Sequence, residues 1–148
     1  MGWVEDLSGK IVGVDTAPFI YLIEENPKYL EAMHQFFSAV DRSQFQIVTS
    51  TITLLEVMVQ PIRRGQDGIA SQYREILLNS TNMSCQPVSS GIAQEAARLR
   101  ATYNIRTPDS IQLATAIREG ASHFLTNDKY LPSIATPQLL ILDQLQAS

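Results

Sequence analysis

The sequence predicts an α/β fold with a mainly parallel central sheet and helices on both faces. Three observations predict it. Short β-branched runs alternate with segments whose apolar residues recur every three or four positions, the pattern of strands joined by crossover helices. The chain has 148 residues, enough for one domain whose core needs no disulfide or metal staple. Its composition, 45% hydrophobic and 18% charged, is too apolar for disorder and too mixed for a coiled coil.

Taken in order, Ile11-Val12-Gly13-Val14 reads as a buried strand. A short helical turn near Pro18 follows, then a helix over residues 27–40 with Leu30, Met33, Phe36, Phe37 and Val40 at helical spacing. Residues 45–48 form the next strand, and Ser50 can cap a helix that carries Leu54, Leu55 and Met58 and stops near Pro61. Residues 63–68 are a loop. Ile69, Tyr73, Ile76 and Leu77 line the next helix, and residues 85–88 suggest an edge strand because Pro87 lacks a donor. Ser89 or Ser90 caps a helix bearing Ile92, Ala96, Leu99 and Tyr103. Thr107-Pro108 opens another, which Gly120 closes. Residues 123–126 and 139–142 are the last strands. No repeat or linker divides the chain, so residues 1–148 read as a single unit with residues 1–9 as an N-terminal extension.

Composition also excludes classes. The single cysteine, Cys85, rules out an internal disulfide and a cysteine-built zinc site. Fifteen acidic against eleven basic residues leave a net charge of −4, which argues against non-specific binding to long duplex DNA. The acidic start Glu5-Asp6 has no apolar run behind it, and the longest apolar stretch, residues 11–23, is cut by Asp15 and Pro18. No secretory signal or membrane span is therefore expected, and the protein is expected in the cytoplasm.

In open α/β sheets ligands bind beyond the carboxyl ends of the strands. Four acids occupy such positions. Asp15 directly follows the first strand, and Asp128 lies two residues after the 123–126 strand. Asp109 is in the first turn of the helix opened by Thr107-Pro108. Glu56 interrupts the apolar run Leu54-Leu55-Glu56-Val57-Met58. Each has an ordinary structural reading: Asp15 as a cap or turn residue, Asp109 as a complement to a helix N-terminus, Asp128 as a polar turn, and Glu56 in a solvated stripe with Thr53 and Gln60. Together they imply more. Two carboxylates about 5 Å apart repel by roughly 3 kcal/mol at an effective dielectric of ~20, so a cluster of four calls for a cation. Oxygen-only ligands select a hard ion, Mg²⁺ or Mn²⁺. Such an ion acidifies a bound water and stabilises charge on a phosphoryl oxygen, which suits phosphodiester hydrolysis.

The local motifs resemble those of PIN domains. Val14-Asp15-Thr16 with Phe19-Ile20-Tyr21-Leu22, and Thr53-Leu54-Leu55-Glu56-Val57, resemble the first two acidic motifs. Pro108-Asp109-Ser110-Ile111-Gln112-Leu113-Ala114 resembles the third, and Phe124-Leu125-Thr126-Asn127-Asp128 the fourth. The acids follow one another at intervals of 41, 53 and 19 residues, which also fit. The resemblance implies a PIN-like sheet and a ribonuclease similar to the VapC-type toxins of toxin–antitoxin pairs. It further implies that Asp15, Glu56, Asp109 and Asp128 are both the catalytic residues and the ligands of Mg²⁺ (or Mn²⁺), with Thr126 supporting them. The implied partners are an RNA substrate, a cognate antitoxin protein and a second copy of the chain in a homodimer.

Arg106, three residues before Asp109, could reach an RNA phosphate, and Arg63 and Arg64 could border an RNA groove; solvated arginines are the ordinary alternative. Tyr21 and Tyr103 could stack on bases, with packing in the core the favoured reading. Two competing functions have different signatures. A receiver-type phospho-acceptor switch usually carries an adjacent acidic pair, but Asp15 is followed by Thr16 and Ala17. A catalytically silent PIN-fold binding module has no need of all four carboxylates.

Overall fold

The computed structural model describes residues 2–146. Its sheet comprises β1 (Ile11–Val14), β2 (Gln46–Ser50), β3 (Met83–Gln86), β4 (His123–Thr126) and β5 (Gln138–Ile141). Every neighbouring pair is parallel, in the spatial order β3-β2-β1-β4-β5. The chain builds outward from β1 to β3, then returns to the other side of β1. That reversal opens a crevice at the carboxyl ends of β1 and β4.

The helices are α1 (Thr16–Ile23), α2 (Leu30–Asp41), α3 (Thr51–Arg63), α4 (Asp67–Asn79), α5 (Ser90–Tyr103), α6 (Thr107–Arg118) and α7 (Leu142–Gln146). Alternation along the strands sends side chains to two cores. Val12, Val14, Ile47 and Leu125 join Phe19, Phe36, Tyr73 and Leu77 from α1, α2 and α4. Val48 and Phe124 point the other way, toward Ile92 and Leu99 of α5 and Leu113 and Ala116 of α6. Gly13 lets α6 lie close to the sheet. A Cβ there would sit 2.7 Å from the Ala116 Cβ and 2.8 Å from Phe124 Cδ1.

Several boundaries differ from expectation. α1 is a full eight-residue helix rather than a turn near Pro18, because Asp15 caps it and Pro18 falls in the first turn, where N–H groups lack helical partners. α2 starts at Leu30 instead of residue 27. α3 continues through Pro61 to Arg63, since a proline in the last turn removes a single helical donor. α4 begins at Asp67, inside the expected 63–68 loop. The edge strand lies at Met83–Gln86 rather than 85–88, held by pairing with Ile47–Ser50, and Pro87 falls just outside it. β5 ends at Ile141. Leu142 instead opens α7, where Asn127 Oδ1 accepts the Asp143 N–H at 3.0 Å. The N-terminal extension packs on the domain: Leu7 is buried in a 3₁₀ turn, and Trp3 stacks on Phe36 with centroids 5.8 Å apart.

Candidate active site

The crevice at the carboxyl ends of β1 and β4 is an open cleft of about 440 Å³, and Asp15, Glu56, Asp109 and Asp128 all line it. Each arrives by a different local rule. Asp15 leaves β1 in extended conformation and caps α1, its Oδ1 accepting the Thr16 N–H at 2.8 Å. Its Oδ2 accepts the Thr126 hydroxyl at 2.8 Å. The same Thr126 oxygen accepts the Asp128 N–H at 3.1 Å, so the last residue of β4 ties the first and fourth acids together. Asp128 Oδ1 accepts the Tyr130 N–H at 2.9 Å, closing a turn on its own side chain. Glu56 projects from the second turn of α3, and its Oε1 accepts the Thr16 hydroxyl at 2.5 Å. Asp109, in the first turn of α6, has its Oδ2 3.2 Å from Arg106 Nε.

These groups share one electrostatic field. Burial raises the Asp15 carboxyl to about 6; hydrogen bonds from Thr126 and the Thr16 N–H oppose the shift, and repulsion from Asp109 and Glu56 adds to it. Arg106, the single cation on the cleft wall among the described residues, is in turn held by Asp109, with Asp128 and Glu56 also in range.

No three acidic, histidine or cysteine side chains among the described residues converge tightly enough to form a ready metal cage. Asp15 is instead anchored through both oxygens by protein donors, and the other three carboxylates through one. Glu56, Asp109 and Asp128 each keep a second oxygen that accepts no protein hydrogen bond among the described residues. Hard, anionic oxygens left over on the walls of one cleft are a donor set that fits Mg²⁺ or Mn²⁺.

Beneath the acids lies a polar network that sequence reasoning missed. Gln112 donates to the Thr53 hydroxyl at 2.5 Å and to the Thr16 hydroxyl at 3.3 Å, and its Oε1 accepts from Ser50 at 2.7 Å. The Thr49 and Thr53 hydroxyls lie 2.8 Å apart. Thr53 is fully buried, so Glu56 does not belong to a solvated stripe with Thr53 and Gln60. The available signal was spacing: Thr53 lies three residues before Glu56 and Gln112 three after Asp109, each on its acid's helix face. Arg63 and Arg64 do not line this cleft; Arg63 borders a separate apolar groove with Leu55, Val59 and Ile62. Tyr21 is half-buried: it packs on Tyr29 with centroids 4.4 Å apart and also lines the cleft, whereas Tyr103 is exposed at the end of α5.

The sequence matches the PIN domain family over residues 12–137. The chain belongs to the PIN domain family. All four cleft carboxylates fall within the matched region. Three solved structures resemble this PIN domain. VapBC2 from Rickettsia felis, bound to a DNA fragment from its promoter, is 18% identical with a TM-score of 0.68, covering 88% of this chain and 98% of its own. A toxin–antitoxin complex from Klebsiella pneumoniae is 26% identical with a TM-score of 0.58, covering 89% and 100%. Mycobacterium tuberculosis VapC20, described as a sarcin–ricin loop cleaving toxin, is 18% identical with a TM-score of 0.66, covering 81% and 91%. No curated protein matches this PIN domain in sequence. The architecture is that of VapC-type PIN proteins, in an all-parallel form of the predicted sheet. Among the described residues no helix is long and apolar enough to cross a membrane.

Proposed function

We propose that this PIN domain is a metal-dependent endoribonuclease and the toxin of a toxin–antitoxin pair. The observation that carries the reading is the meeting of four carboxylates, from four separate segments, in one cleft at the switch point of the sheet. The structural neighbours support it: one is described as a sarcin–ricin loop cleaving toxin, one as a toxin–antitoxin complex and one as VapBC2 bound to promoter DNA. Asp15, Glu56, Asp109 and Asp128 would hold Mg²⁺ (or Mn²⁺). When bound, the ion supplies an acidified water and a positive charge for the phosphoryl oxygen.

The chain's own residues prepare that chemistry. Thr126 and the Thr16 N–H fix Asp15 in one orientation. The Thr16 hydroxyl, steadied by Gln112, fixes Glu56. Arg106 offers a guanidinium to a substrate phosphate, with Arg63 and Arg64 further along the surface as additional backbone contacts. The reading includes a cytoplasmic protein that pairs with a cognate antitoxin, forms a homodimer and uses residues 1–148 as one PIN unit.

Purified protein is expected to cleave RNA with Mg²⁺ or Mn²⁺ and to stop in EDTA. Asp109→Asn is expected to lower the rate by at least about 100-fold with an unchanged circular dichroism spectrum. Cleavage that continues undiminished in chelator rejects the mechanism.

A further inference from the structure

We propose that Arg106 is a built-in competitor of the divalent ion: its guanidinium holds Asp109 in the metal-free protein and is released to the substrate phosphate when the ion binds. The inference rests on the metal-dependent reading above. Arg106 is the N-cap of α6, makes no side-chain capping bond, and sets a positive charge against the positive end of the helix. Serine, threonine, aspartate or asparagine would serve the helix better.

What Arg106 does make is the contact with Asp109, Nε to Oδ2 at 3.2 Å. The pair is lopsided: the arginine side chain is 79% exposed and the aspartate 16%. A cation thus rests on the outer side of a carboxylate that faces into the cleft. Its Nη groups have no protein acceptor among the described residues, which leaves a free fork for a phosphate. An ion pair this exposed opens readily. It nevertheless stands in the way of a second cation at Asp109, by occupying an oxygen and by charge repulsion. A competitor closed for half to five-sixths of the time weakens apparent metal affinity by roughly two- to sixfold.

The test is titration of EDTA-stripped protein with Mn²⁺ by calorimetry, for wild type, Arg106→Gln and Arg106→Lys. Arg106→Gln is expected to bind Mn²⁺ roughly two- to sixfold tighter, and the difference should shrink at about 0.5 M NaCl, where exposed charges are screened. Arg106→Lys should stay near wild type. At saturating Mn²⁺, the KM of Arg106→Gln for an RNA oligonucleotide should rise several-fold. A residue that merely held the helix start would move neither Mn²⁺ affinity nor its salt dependence in this direction. Equal or weaker Mn²⁺ binding by Arg106→Gln overturns the competition and leaves the metal-centre reading standing. Mn²⁺ binding by neither protein overturns both. Tighter Mn²⁺ binding with an unchanged KM overturns the hand-over to substrate.

Discussion

Asp15 places a carboxyl where burial disfavours the charged form. Burial raises its carboxyl from the ordinary 3.8 to about 6 in the folded protein. Between those values the folded state binds the proton more tightly than the unfolded state. Stability from this group is therefore full below the lower value, falls as pH rises through the window, and is gone above about 6. At 1.36 kcal/mol per pH unit the total is about 3 kcal/mol. Asn keeps the cap on α1 and can still bond Thr126. Asp15→Asn is therefore expected to stabilise the protein in EDTA at pH 8, by up to about 3 kcal/mol in urea unfolding, and to lose that advantage by pH 4. A variant less stable than wild type at pH 8 would show that Asp15 is kept for its capping bond alone. The same residue scale separates what was legible. Asp15, Glu56, Asp109 and Asp128 stand out because they follow strands, open a helix or interrupt an apolar run. Thr16, Thr53 and Gln112 do not, because a threonine or glutamine is equally at home in solvent, and only their contacts across 37 to 96 residues reveal them.

At the level of elements, the site depends on how closely α6 approaches β1, since α6 carries Asp109 and Gln112. Gly13 and the small residues Ala114 and Ala116 permit that approach. The neighbours of an added Cβ at Gly13 are the Ala116 methyl and the Phe124 ring, neither a flexible chain end. Gly13→Ala is therefore expected to destabilise by about 1–3 kcal/mol, measured by chemical denaturation. Urea midpoints equal to wild type would show that α6 can back away at no cost. Strand and helix identities were readable from periodicity, while ends were set by partners. β3 begins at Met83 because β2 offers its edge there, and α7 replaces the last residue of an apolar run because Asn127 captures the Asp143 N–H.

Across the whole molecule, the proposed metal-dependent reading makes repulsion in the cleft a link between cation binding and folding. A cation that binds the folded protein alone adds about 2.7 kcal/mol at 100 times its Kd, roughly 5–10 °C in Tm for a chain of this size. Saturating Mn²⁺ is expected to raise the wild-type Tm by that amount and the Asp109→Asn Tm by less. A melt indifferent to Mn²⁺ and EDTA would mean that the carboxylates hold no cation. At this scale Arg63 and Arg64 differ from Arg106: all three look alike along the chain, but folding puts two at the far end of α3 and one on the cleft wall.

The amino-acid sequence alone determined the α/β class, the order of the elements and the four acids at the ends of strands and starts of helices, because periodicity, capping and proline placement act over a few residues. Only the tertiary structure decided which oxygens are already bonded, which arginine faces them and which hydroxyls brace them. Those outcomes depend on distances between segments far apart in the chain, and such distances exist only once the sheet has brought the segments together.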